Sequence, residues 1–185
     1  MDHLVSKSRL IFDFDSTIGA LQIDWTDWHL GIGDIFRFFE PTFDLDRKGE
    51  KVHFYQNAFF QKYGKECRDK VTVFSEKYEL DNCKGFAGNK KVIEIIRREK
   101  GKKMYVWSSN CKKSIERCLN DLDLLNRFEK IVAREDVFYI KPDSEGFTLI
   151  ADAAPLDQYI FFGDSVFDRD AARNIHVDYI DVKTL

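Results

Sequence analysis

Apolar residues along this chain fall into short unbroken runs, separated by longer stretches in which they recur every three or four positions. The runs at 9–12, 103–107, 130–133 and 158–162, with 179–182 as a fifth, are bounded by polar residues or glycine and predict strands buried on both faces. Between them the spacing is helical. Positions 89–100 carry Val92, Ile93, Ile95 and Ile96 among charged residues and then meet Gly101 as a stop. Positions 113–126 set Ile115, Cys118, Leu119, Leu122 and Leu125 at helical intervals, and 145–154 and 167–174 predict shorter helices. Strands alternating with helices specify a parallel sheet with right-handed crossovers, an α/β, Rossmann-like core flanked by helices.

One interval breaks the rhythm. The stretch between the first strand and the helix at 89 runs for about 75 residues, far more than a direct crossover needs. Its pattern is helical over 26–40, 50–63 and 66–80, punctuated by Pro41, Gly49 and Gly64. The economical division is a core of 1–20 and 83–185 and a small inserted all-helical domain at 21–82. The insertion holds eight of the 17 Phe, together with Trp25, Trp28, Tyr55, Tyr63 and Tyr78. A small helical unit needs large side chains to build a core of its own, so these are expected to pack on one another rather than form an aromatic ligand pocket. Arg37, Arg47, Lys48 and Lys51 fit a solvated face, and neither they nor His29 and His53 fix a ligand.

Charge and composition remove several classes of function. A net charge of −3 lacks the basic excess of a general nucleic-acid binder. No apolar run approaches the roughly 20 residues that cross a bilayer. The start, Met1-Asp2-His3-Leu4-Val5-Ser6-Lys7, lacks a signal-peptide layout, so a cytoplasmic protein without membrane or nucleic-acid partners is expected. Cys67, Cys83, Cys111 and Cys118 form no C-x-x-C pair and are expected to be ordinary thiols.

In open α/β sheets ligands bind beyond the carboxyl ends of the strands, and polar residues collect there in this sequence. Asp13-Phe14-Asp15-Ser16-Thr17 follows the first predicted strand, Ser108-Ser109-Asn110 the second, and Gly163-Asp164-Ser165 the fourth, with Asp168 a turn later. Lys141-Pro142 lies in the loop after the third. Alternation along an extended segment puts Asp13 and Asp15 on one side with Phe14 turned away. Carboxylates crowded together repel one another and call for a hard, oxygen-seeking cation such as Mg²⁺. A lysine and hydroxyl groups beside them suit a phosphoryl group, whose charge is spread over its equatorial oxygens. Each piece alone reads as a turn, a helix cap or a solvated side chain. Their joint occurrence, each next to a strand end, points to a site.

On these residues the chain resembles the haloacid dehalogenase superfamily of hydrolases. Phe12-Asp13-Phe14-Asp15-Ser16-Thr17 matches its first signature, Tyr105-Val106-Trp107-Ser108 the second, Lys141-Pro142 the third, and Phe162-Gly163-Asp164-Ser165-Val166-Phe167-Asp168 the fourth. Ser16 stands where glycine is commonest in that superfamily. Phosphoserine phosphatases share an Asp-x-Asp-Ser-Thr segment, but the serine at Ser165 departs from their usual fourth signature.

The resemblance implies a Mg²⁺-dependent phosphatase for a small phosphorylated metabolite. Asp13 is then the nucleophile that forms an aspartyl-phosphate, and Asp15 the acid and base. Ser108, with Ser109 as its competitor, and Lys141 would bind the phosphoryl oxygens. Asp13, the backbone carbonyl of Asp15, and Asp164 would hold the metal, and Asp168 would orient Lys141 or a metal-bound water. Segment 21–82 becomes a helical cap over the site, with hinge motion expected near Gly19 and Gly85. A phosphomutase on the same core, or a non-catalytic phosphate-binding regulatory module, are the alternatives. Neither the substrate nor the oligomeric state follows from the sequence.

Overall fold

The computed structural model describes residues 6–44 and 52–185, so Arg47, Lys48, Gly49, Glu50 and Lys51 lie outside the described residues. Its centre is β1 (Arg9–Phe12), flanked in a five-stranded parallel sheet by β4 (Lys103–Trp107), β5 (Lys130–Val132), β6 (Tyr159–Gly163) and β7 (Asp178–Asp181) in the order β5-β4-β1-β6-β7. The register sets Leu10 beside Met104 and Ile160, and Phe12 beside Val106 and Phe162. Because side chains alternate across a strand, Leu10 and Phe12 face one helical layer and Ile11 the other. The first layer is α3 (Lys90–Arg98) and α4 (Lys112–Asp121), which bring Val92, Ile96, Ile115 and Leu119 onto the sheet. The second is α5 (Glu145–Ile150) and α6 (Val166–Asn174), through Phe147, Ile150, Ala171 and Ala172. Burial on both faces explains why the three central strands, β1, β4 and β6, read as unbroken apolar runs, while the edge strands β5 and β7 are only partly buried.

Two strands were not foreseen. β2 (Gly19–Leu21) and β3 (Phe86–Gly88) pair antiparallel, joining the two chain segments that lead into and out of the helical insertion. The pairing is tight at Gly19, where a Cβ would stand 2.4 Å from the Phe86 ring. The insertion itself comprises α1 (Trp25–Phe39) and α2 (Val52–Asn82). Asp24 caps α1 by accepting from the N–H groups of Thr26 and Asp27. The two helices predicted at 50–63 and 66–80 meet within α2 at Gly64, whose non-helical backbone (φ 69°, ψ −156°) separates them and is open to glycine at little cost. The expected aromatic core is present: Trp28, Ile32, Phe36, Phe59 and Phe60 are buried together, with the Phe36 and Phe59 rings stacked 4.0 Å apart.

Several predicted ends move. The helix expected over 113–126 stops at Asp121, and Asp123, with φ of 55°, turns the chain into a short 3₁₀ segment at Leu125–Arg127. The helix expected over 145–154 stops at Ile150, where Ala151 turns out of helical backbone (ψ 131°) with its N–H on Phe147 O. The fourth run pairs one residue later than expected, as Tyr159–Gly163. The four cysteines are free, and no described helix is long and apolar enough to cross a membrane.

Candidate active site

The first strand ends in a turn that aims two carboxylates the same way. Asp13 continues the ladder through its N–H to Phe162 O (2.9 Å), and the chain then folds back through Ser16 N–H to Gly19 O (2.7 Å). The fold-back lets the Asp15 carboxylate accept the Leu21 N–H at 2.7 Å, which fixes its direction. Ser16 has a φ of 63°, in the left-handed region that glycine enters most readily, so this turn carries a local strain of about 1 kcal/mol.

Lys141 joins the signatures physically. Its Nζ donates to Asp13 Oδ1 and to Asp168 Oδ1, each at 2.5 Å, with all three side chains nearly removed from solvent. The other Asp168 oxygen accepts from Ser165 N–H (3.0 Å) and Ser165 Oγ (2.6 Å), closing the N-terminus of α6. That approach requires glycine at 163, where a Cβ would lie 2.4 Å from the Asp168 Cβ. Ser108 is buried behind β4, its N–H on Val132 O (2.9 Å) and its hydroxyl on Asn110 Oδ1 (2.9 Å).

All the residues expected from the sequence line one cavity of about 270 Å³: Asp13, Asp15, Ser108, Ser109, Lys141, Asp164 and Asp168. Burial, reinforced by the Asp168 charge, pushes the Asp13 carboxyl up to about 7 against the pull of Lys141. Burial likewise lifts Asp15 to about 6 and raises Asp164. Burial opposes the Lys141 charge, yet the flanking Asp13 and Asp168 outweigh it and its pKa is raised.

The donor set fits a hard divalent cation. Oxygens of Asp13, Asp164 and Asp168 approach within 4.8 Å of one another. Asp168 has both oxygens committed to Lys141 and Ser165, so Asp13 and Asp164 are the carboxylates left to receive an ion. Lys183 contacts Asp164 from the rim, 3.2 Å from Oδ2 and 2.6 Å from its backbone oxygen.

The cavity also has walls to which the sequence reading gave no ligand role, among them aromatic residues expected only to pack on one another. Trp25, Trp28, His29, His53 and Glu79 come from the insertion, and Arg134 from the segment after β5. Burial lowers His53 to about 3, so this imidazole is neutral. Arg134 directly follows the predicted strand 130–133, so the strand-end rule that found Asp13, Ser108 and Asp164 applies to it equally. Glu79 offered no such signal, because its role depends on where α2 lies against the core.

That placement is set by side-chain hydrogen bonds. Asn57 accepts from Ile140 N–H (3.0 Å) and donates to Ile140 O (2.7 Å), gripping the residue before Lys141. Arg68 donates to the carbonyls of Glu135 and Val137, each at 2.7 Å, and Glu79 accepts the Cys111 N–H at 3.0 Å.

The family model for haloacid dehalogenase-like hydrolases matches residues 10–182, and the chain belongs to that family. No curated protein matches it by sequence. Among solved structures, it is similar to a haloacid dehalogenase-like hydrolase from Bacteroides fragilis at 20% identity and a TM-score of 0.62, covering 95% of this chain and 87% of that one. A predicted phosphoglycolate phosphatase from Haemophilus somnus 129PT aligns at 17% identity and a TM-score of 0.60, over 96% and 85%. YfnB of Bacillus subtilis, described as a HAD-hydrolase and crystallised with magnesium, aligns at 16% identity and a TM-score of 0.54, over 94% and 85%. At these identities the likeness is one of fold.

Proposed function

We propose that the protein is a Mg²⁺-dependent phosphatase that hydrolyses a small phosphorylated metabolite through an aspartyl-phosphate at Asp13. The observation that carries this reading is Lys141 held between Asp13 and Asp168, with Asp15, Ser108 and Asp164 around the same cavity. An Asp13 carboxylate oxygen attacks phosphorus, forming the new P–O bond as the bond to the leaving oxygen breaks. Asp15, whose burial favours the protonated form, gives its proton to that leaving oxygen. It then takes a proton from the water that attacks the aspartyl-phosphate, releasing inorganic phosphate and restoring Asp13. Ser108 turns its hydroxyl from Asn110 Oδ1 to donate to a phosphoryl oxygen, and Lys141 neutralises charge there while keeping Asp13 oriented. Asp13, Asp164 and the Asp15 carbonyl would hold Mg²⁺, which supplies positive charge that keeps the crowded carboxylates ionised and balances the phosphoryl oxygens.

Segment 21–82 acts in this reading as a cap, because its helices wall the cavity opposite the strand ends. The paired strands at Gly19–Leu21 and Phe86–Gly88 are the neck through which it would move. The test is hydrolysis of para-nitrophenyl phosphate with added Mg²⁺ and after exhaustive chelation. Metal-dependent release of phosphate is expected. Equal rates in both conditions, or no hydrolysis of any phosphate ester with the metal present, would overturn the reading.

A further inference from the structure

The cavity contains a cation that the phosphoryl chemistry does not use. Arg134 is only 2% exposed, yet among the described residues it forms no ion pair. Its guanidinium is held by neutral acceptors alone: Nε donates to Ser109 O (2.9 Å) and Nη1 to Gln56 Oε1 (2.7 Å). One face lies over the Trp28 ring, 5.7 Å from its centroid. Nη2 makes no hydrogen bond to any described residue, and the group borders the cavity. Burying a cation without a partner anion costs several kcal/mol, so a fold that retains one beside an open cavity has an anion to place there. The carboxylates whose charge reaches Arg134 are Glu79 and Glu135; neither stands within ion-pair distance of it, and burial lifts Glu79 to about 7.

Position separates this cation from the phosphoryl site. Lys141 is held by Asp13 and Asp168, with its third N–H left for the phosphoryl group, whereas Arg134 stands beyond Ser109, among Trp28, His53 and Gln56 of the insertion. With the phosphoryl group at the strand ends, the leaving group of this reading faces the insertion, the side on which the Arg134 guanidinium meets Gln56 and Trp28. A guanidinium fixed at two of its nitrogens by protein acceptors, and stacked on an indole, is already ordered for a planar, two-oxygen anion. A cavity of about 270 Å³ also limits the ligand to a compact molecule.

We infer that Arg134 is a specificity-determining residue that binds a carboxylate on the leaving group, so that the preferred substrates are small phosphorylated carboxylic acids. This inference rests on the phosphatase reading and goes beyond it in naming the substrate class.

The test uses matched esters that differ in the carboxylate: 2-phosphoglycolate against ethylene glycol monophosphate, and 3-phosphoglycerate against glycerol 3-phosphate. The quantity read is the ratio of kcat/KM, acid over alcohol, within each variant, so the fraction of folded enzyme cancels. For the wild type this ratio should be about ten- to a hundredfold, as for a charge-assisted hydrogen bond. In Arg134→Gln it should fall to near one, with the alcohols still hydrolysed, and in Arg134→Lys it should be intermediate. A wild-type ratio near one, or a ratio that survives in Arg134→Gln, overturns the inference. Should the glutamine variant fail to fold, the wild-type and lysine ratios still decide. Absence of Mg²⁺-dependent hydrolysis of every ester would instead overturn the phosphatase reading, so the two failures are distinguishable.

Discussion

On the core side of the cavity, Asp13, Ser108 and Asp164 each sit at the end of a buried parallel strand. On the other side, Trp25, His53 and Glu79 come from helices that pack chiefly on one another. The two sides are held in different ways. A side chain at a strand end is placed by the main-chain hydrogen bonds of the whole sheet, and moves only if the sheet does. The insertion meets the core through separate side-chain contacts: hydrogen bonds from Asn57, Arg68, Glu79 and Gln56, the Glu76–Lys113 ion pair, and rings such as Phe60 on Phe138 and Phe54 on Phe167. Each of those contacts can be removed singly. The difference teaches that changes on the core side should act all-or-none on chemistry, while changes on the insertion side should act by degrees, through position and stability.

The largest effect expected is at Asp13. Asp13→Asn removes the phosphoryl acceptor but keeps the size and most of the hydrogen bonding of the side chain, so turnover should fall by at least about a thousandfold with thermal unfolding little changed. Near-normal turnover in a variant verified as undeamidated would break the division between the two sides. Metal removal should be nearly as severe. Mg²⁺ should restore the rate and Ca²⁺ should not, because the larger ion adopts looser, higher coordination. Calcium that supports turnover as well as magnesium would count against the assigned donors.

A smaller effect, read in stability, is expected at Glu79 on the insertion side. This buried carboxylate accepts the Cys111 N–H at the start of α4, where Cys111 offers no side-chain cap of its own. Burial raises it to about 7, with Glu135 adding to the rise and Arg134 opposing it. Between the ordinary glutamate pKa and about 7, the folded protein holds a proton that the unfolded chain has released. Stability therefore falls as pH rises through that window, by on the order of 2 kcal/mol, and levels off above it. Glu79→Gln keeps an acceptor for Cys111 and removes this component. Urea midpoints at pH 5 and pH 8 should differ less in the variant than in the wild type, and an unchanged difference would remove Glu79 from the account.

The contrast between the two sides also explains what could be read in the sequence. The sheet was legible because strands buried on both faces must be apolar throughout, and β1 and β4 have the bounds their runs predict. The residues at their ends were legible because the topology brings all parallel strand ends to one edge. Arg134 obeys the same rule, but without a partner in any motif it reads as a solvated arginine until its burial is seen. Asn57 and Glu79 could not be found, because nothing local in α2 marks which of its polar residues meets Ile140 or Cys111. The ribbon of Gly19–Leu21 and Phe86–Gly88 escaped for a related reason: three-residue strands carry too little alternation to stand out, and their pairing spans the whole insertion.

The finest distinction between the two sides lies at Asn57. Its amide mimics a strand partner for Ile140, satisfying both the N–H and the carbonyl of a residue that is 3% exposed. The next residue is Lys141, so a helix of the insertion takes part in placing the lysine that the core uses. Asn57→Ala leaves the buried Ile140 N–H without a partner and its carbonyl with the Asp143 N–H alone (3.1 Å), which should cost about 1–3 kcal/mol in stability. If the bond serves only to hold α2 in place, that loss is the whole effect and kcat for the folded enzyme stays the same. If it positions Lys141, kcat should fall by about tenfold while KM changes little, as expected when an interaction made in the transition state is weakened. A double-mutant cycle separates the two. In a Lys141→Ala background, Asn57→Ala should still lower the unfolding midpoint but should cost no further kcat, because the group it acts through is gone. Additive losses in kcat would mean that Asn57 acts by another route, and that the insertion reaches the chemistry somewhere other than the Lys141 loop.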